Sequence, residues 1–228
     1  MVYAAWVGQG IDWLGGPHNL AINFASLDTT SSSAQWTLMQ PIPHAATSSM
    51  GPSIATIGGT LYAAWMDAFR GQLRLAWFDN GEWRSQGPIQ LPGVNPSSSI
   101  GPSLAAIENT LYVAWKGEGN DPNLYYASFA RSSNTWSNQL QVQLPDLTNP
   151  GSTIGPAVAA IGNKLYAMWV GDTGPDFGTH RLTTLPTRLQ SGRTLCAVPA
   201  KPGRIRYLRP LGAWWAIQTT FFTATVNP

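Results

Sequence analysis

Charge is scarce in this chain: 11% of its 228 residues are Asp, Glu, Lys or Arg, where an ordinary globular domain carries about 25%. That composition excludes both a disordered and a highly ionic protein. A single cysteine excludes an internal disulfide framework and any multi-cysteine metal site, so apolar burial must hold the fold. No run approaches the roughly 18 consecutive apolar residues of a membrane span. The N-terminus has no basic region followed by an apolar run, and no Asn-x-Ser/Thr sequon occurs, so the compartment is left open. The chain opens inside a strand-like stretch, Val2-Tyr3-Ala4-Ala5-Trp6, and a missing upstream portion is the expectation.

What is abundant is turn residues and large rings. Glycine (23), proline (18) and tryptophan (11) together argue for many short strands packed through aromatic side chains, and against long helices.

Self-similarity organises the rest. Gly51-Pro52-Ser53-Ile54-Ala55-Thr56-Ile57, Gly101-Pro102-Ser103-Leu104-Ala105-Ala106-Ile107 and Gly155-Pro156-Ala157-Val158-Ala159-Ala160-Ile161 align without gaps. Each leads through a short turn into Leu61-Tyr62-Ala63-Ala64-Trp65, Leu111-Tyr112-Val113-Ala114-Trp115 or Leu165-Tyr166-Ala167-Met168-Trp169. Apolar residues alternate with a period of two, which predicts antiparallel strands. Gly58-Gly59, Glu108-Asn109 and Gly162-Asn163 fall at the hairpin turns. A third strand follows over Leu73 to Phe78 and Leu124 to Phe129. Asn80-Gly81 then supplies a type I′ turn, and a fourth, weaker strand starts at Trp83 or Trp136.

Four antiparallel strands per repeat is the unit of a β-propeller blade. The expected fold is therefore all-β: a partial β-propeller of about four to five blades, because one four-stranded sheet cannot cover both of its apolar faces and needs its neighbours. The repeats fall at about 1–47, 48–97, 98–151 and 152–185. Tyr3 and Trp6 match Tyr62 and Trp65, so the first repeat starts at its second strand; its third strand is predicted over Leu20 to Ala25, and Trp36 opens its fourth. In the fourth repeat, Leu182 to Leu185 is the candidate third strand.

After residue 185 the pattern fades and the charge changes sign. Residues 1–178 carry 6 basic and 11 acidic side chains, and residues 179–228 carry 7 basic and none acidic. Two readings of 186–228 stand: a degenerate last blade whose apolar end closes the ring, or an out-of-frame tail. The basic cluster from Arg181 to Arg209 has no accompanying nucleic-acid module, so no nucleic-acid partner is inferred.

Candidate chemistry concentrates in the loops after the second strands. His18, His44 and His180 are isolated and lack metal-ligand spacing, so no metal or cofactor is expected. Gly151-Ser152-Thr153-Ile154-Gly155 has the outline of a nucleophile elbow, but its counterparts at Ser49 and Ser99 recur as ordinary link residues and no helix follows. Asp67, Glu118, Asp121, Asp172 and Asp176 put one acidic loop per blade on the same rim. They suit either turn capping or ligand binding, and a glycosidase would need two of them facing one bond. Trp6, Trp65, Trp115 and Trp169 end their strands beside these loops. They can fill the gap between sheets or stack on a sugar whose hydroxyls bind neighbouring polar groups such as Arg70, Lys116 and Asp121.

The Gly-Pro-(Ser/Ala)-x-Ala, Leu-Tyr-x-x-Trp, acidic-loop pattern over about residues 1–185 resembles the tandem-repeat β-propeller proteins that include PLL-type lectins. The resemblance implies sugar pockets at blade interfaces, matching Trp65, Asp67, Trp115, Asp121, Trp169 and Asp172 here. The chain departs from that family in blade number and at both termini. A non-catalytic, multivalent carbohydrate-binding propeller is the leading expectation; a glycoside hydrolase or sialidase-like propeller and a structural protein-interaction repeat are the alternatives. Glycans are the expected partner, and open blade edges predict self-association.

Overall fold

The computed structural model describes residues 1–8, 21–42, 47–143 and 151–171, together with the backbone of 180–185. All of these fall within a unit spanning Met1–Ala197. The two readings of residues 186–228 therefore concern a segment outside the described residues.

The architecture is all-β, a partial propeller with four antiparallel sheets among the described residues. The first sheet orders β1 (Val2–Val7), β2 (Ile22–Leu27) and β3 (Trp36–Leu38). The second orders β4 (Ser53–Ile57), β5 (Thr60–Met66), β6 (Leu73–Asp79) and β7 (Glu82–Pro88). The third contains β8 (Ser103–Ile107), β9 (Thr110–Lys116) and β10 (Leu124–Ala130), and its fourth position is divided between β11 (Thr135–Trp136) and β12 (Leu140–Gln141), both paired with β10. The last orders β13 (Ala157–Ile161), β14 (Lys164–Val170) and β15 (His180–Leu185). No helix among the described residues is long and apolar enough to cross a membrane.

Local sequence explains the hairpins. Asn80 and Gly81 adopt φ of 51° and 84°, the left-handed pair that a type I′ turn needs to match strand twist. The expected strand over Leu20 to Ala25 is corrected to Ile22–Leu27, because Trp6 pairs with Asn23 and Val7 with Ile22. In the fourth repeat the third strand begins two residues before the expected Leu182, with His180 opposite Val170.

Alternation gives each sheet two apolar faces. Tyr3, Ala5, Ile22 and Phe24 of the first sheet pack with Leu61, Ala63 and Trp65 of the second. Tyr62, Ala64 and Met66 on the other face of β5 pack with Leu111, Val113 and Trp115. Tyr112 and Ala114 in turn pack with Leu165, Ala167 and Trp169. In every seam the tryptophan ending a second strand points back at the preceding sheet.

The innermost strands β4, β8 and β13 succeed one another in close contact. Ser53 Oγ accepts the Leu104 N–H at 2.9 Å, and Ser103 Oγ accepts the Val158 N–H at 3.0 Å. These bonds satisfy inward amides that have no strand partner on that side. The glycines that open these strands follow the same rule. A Cβ at Gly101 would lie 2.9 Å from the Gly51 carbonyl oxygen, and one at Gly155 would lie 3.1 Å from that of Gly101, whereas one at Gly51 would meet nothing within 4 Å. Gly101→Ala is thus expected to cost about 1–3 kcal/mol through forced backbone separation. Gly51→Ala is expected to be neutral or to stabilise by up to about 1 kcal/mol. Urea titration of the two variants measures the contrast, and equal effects would exclude steric closeness as the reason for glycine.

Candidate functional site

The links between sheets run along one rim and are built on a recurring serine. Ser48, Ser98 and Ser152 are fully buried. Each hydroxyl donates to a carbonyl two residues on (Met50, Ile100 and Ile154, at 2.6–2.7 Å) and accepts the amide of that same residue. This is the local side-chain-to-backbone turn for which serine is suited.

Two loops flank the link at 96–99. From the second sheet, Gly71 accepts the Ser98 amide at 2.8 Å, and the Leu73 amide donates to the Pro96 carbonyl at 3.1 Å. From the third, Glu118 Oε2 accepts the Ser97 hydroxyl at 2.6 Å. Glu118 also crosses towards the second sheet: a Cβ at Gly71 would lie 3.1 Å from its Oε1. The seam between the second and third sheets is therefore lined at its rim by loop 67–72, link 96–99 and loop 117–122.

Within the first of these loops, Asp67 holds the turn. Its Oδ1 accepts the Phe69 and Arg70 amides at 3.0 and 3.1 Å, and its Oδ2 accepts Arg74 Nε at 2.7 Å. Arg70 is exposed beside it. In the second loop, Asp121 accepts the Asn123 amide and the Tyr125 hydroxyl, the latter at 2.9 Å. Burial, followed by this hydrogen bond and the Asp121 charge, raises the Tyr125 pKa above the usual phenol value. Lys116 is buried, and its ammonium donates to the carbonyls of Gly117, Gly119 and Asp121 at 3.2, 3.1 and 3.0 Å. Its role is to shape the loop from inside, a role invisible in the residue pattern.

Trp65, Trp115 and Trp169 are each 1% exposed, so their faces are covered by the preceding sheet. The indole N–H groups of Trp65 and Trp169 have no acceptor, which fits side chains used for volume. Of the two uses open to these rings, inter-sheet packing is the one their surroundings support. Asp172, Asp176, His18 and His44 lie outside the described residues, as does the His180 side chain. Among the described residues, no cluster of His, Cys, Asp and Glu could hold a metal ion.

The structure adds an aromatic to these loops. Phe69 is 82% exposed, between Asp67 and Arg70 at the seam. An apolar ring in a loop of turn residues was the available signal; Asp12-Trp13 and Asp176-Phe177 place an aromatic in the corresponding stretches of the first and fourth repeats. Phe69, Arg70 and Glu118 together offer a flat apolar face, a cation and a carboxylate on adjoining loops.

No protein-family model matches this chain, and no curated protein does. Among solved structures, it is similar to a fucose-specific lectin from Aleuria aurantia, with 18% identity, a TM-score of 0.49, and coverage of 76% of this chain and 55% of the lectin. It is also similar to an α-L-arabinofuranosidase from Clostridium thermocellum (14% identity, TM-score 0.49, 86% of this chain and 67% of the other). An arabinanase from Bacillus subtilis aligns at 16% identity and a TM-score of 0.45, over 80% of this chain and 65% of the other. The chain thus spans about half the length of the lectin. These structures are β-propellers, and a likeness at this level does not distinguish lectin from hydrolase.

Proposed function

We propose that this protein binds carbohydrate without cleaving it, through shallow sites at the rims of inter-sheet seams, the one between the second and third sheets being the described example. The observation that carries this reading is the grouping of exposed Phe69, Arg70 and Glu118 on adjoining loops. A sugar presents a C–H face to an aromatic ring and hydroxyls to charged hydrogen-bonding groups. Glu118 keeps Oε1 towards the seam while Oε2 bonds Ser97, so it can accept from a ligand hydroxyl without losing its own anchor. Asp67, Lys116 and Asp121 contribute by fixing the loops on which these groups stand. The resemblance of the repeat to PLL-type lectins supports the same reading. Weak sites repeated from blade to blade would gain strength on a glycan surface by multivalency.

Glycoside cleavage is the second reading. It needs a second carboxylate across the scissile bond, and in the two described loops Asp67 is ion-paired with Arg74 while Asp121 is hydrogen-bonded to Tyr125. Glycan-array binding of the intact chain is the test. Binding is expected, with Phe69→Ala and Glu118→Gln each weakening it about tenfold, the loss of one stacking or charge-assisted contact. Absence of any glycan signal at high protein concentration would remove the proposal, and turnover of a chromogenic glycoside would replace it with the hydrolase.

A further inference from the structure

The three seams between described sheets use the same two faces, and each face also occurs once without a partner sheet among the described residues. The forward face of the third sheet, Ala105, Ile107, Tyr112 and Ala114, is buried by the fourth, with Ala105 and Ile107 only 6% and 8% exposed. Its counterpart on the fourth sheet is Ala159, Ile161, Tyr166 and Met168. There Ala159 is exposed, Ile161 is 66% exposed, and Tyr166 and Met168 are half-buried.

The backward face shows the converse. On the second sheet it consists of Leu61, Ala63 and Trp65, all buried against the first. On the first sheet, where Tyr3 and Ala5 point to the second, alternation turns Val2, Ala4 and Trp6 the other way. Val2 is 46% and Trp6 41% exposed. The described residues therefore present an exposed forward face and an exposed backward face of the kinds that meet at the internal seams.

We infer that a second copy of this chain covers these faces head to tail, the Trp6 face of one copy seating on the Ile161–Tyr166–Met168 face of the next. Such contact is heterologous, joining two different patches, and it propagates until geometry closes it. The chemistry is that of Trp115 on Tyr62 and Met66, or of Trp169 on Tyr112 and Ile107, transferred between molecules. The inference depends on the fold alone and stands apart from the glycan reading.

Sedimentation or light scattering of the intact chain across a concentration series tests it. The expected result is concentration-dependent association that Trp6→Asp and Ile161→Asp each weaken at least tenfold, with unchanged far-ultraviolet circular dichroism because both side chains are exposed. Each single variant keeps one intact face, so an equimolar mixture of the two is expected to form a one-to-one dimer. A monomer at all concentrations, as would follow if residues 186–228 of the same chain covered either face, would overturn the inference. So would association indifferent to both substitutions, or single variants that do not pair when mixed.

Discussion

Trp115→Ala is expected to lower the free energy of unfolding by about 3–5 kcal/mol, the range for removing a fully buried large aromatic. The ring is 1% exposed and packs between the second and third sheets with Tyr62, Ala64 and Met66. It also lies in a stacked arrangement with Tyr125, 6.0 Å between centroids. Loss of the indole leaves a cavity that the two sheets cannot close without disturbing the Ser53–Leu104 bond that joins β4 to β8. Denaturant titration with fluorescence and circular dichroism measures the effect. A loss below about 1 kcal/mol would mean that the seam is soft, and the packing reading of the recurrent tryptophans would fail with it.

Lys116→Met is expected to cost about 3 kcal/mol, although it replaces a charge by an apolar chain of similar length. Replacing a whole buried ion pair by apolar residues of similar volume is often neutral or stabilising. Here the ammonium donates to three loop carbonyls that converge on it, and charge-assisted bonds contribute about 1.5–3 kcal/mol each before water replaces some of them at the exposed part of the loop. The substitution should therefore also release the loop. Amide exchange at Gly117 and Asp121, whose N–H groups bond Asn123 and Glu118 carbonyls, is expected to quicken by more than the global loss of stability accounts for. Unchanged local protection would show that Lys116 does not shape the loop.

How far the residue pattern leads depends on whether a feature repeats. The strands Leu61 to Trp65 and Leu111 to Trp115 were predictable because alternation and the tight turn at Gly58-Gly59 or Glu108-Asn109 act locally. The seam-forming role of the tryptophans was one of two open uses, and their burial needed the neighbouring sheet to be in place. Lys116 was read as a ligand contact because its acceptors are main-chain oxygens, which leave no mark in a sequence. Phe69 escapes notice because the loops differ in length, so that the rings of Trp13, Phe69 and Phe177 fall at different offsets from the tryptophan that ends the second strand. Ser48, Ser98 and Ser152 do recur, yet serine is common in links, and only the paired bonds to residues two positions on separate a structural hydroxyl from filler.

The hydroxyl bridges from Ser53 and Ser103 to the next inner strand have no continuation, because the third Gly-Pro strand carries Ala157 at that position. Whatever sits against β13 on the side away from β8 is consequently gripped by oily surface with no such polar catch. Contact of that sort loosens in the cold and tightens with sulfate or another excluded salt, so the grip on this flank should respond to temperature and salting-out agents in the sense opposite to an ionic attachment.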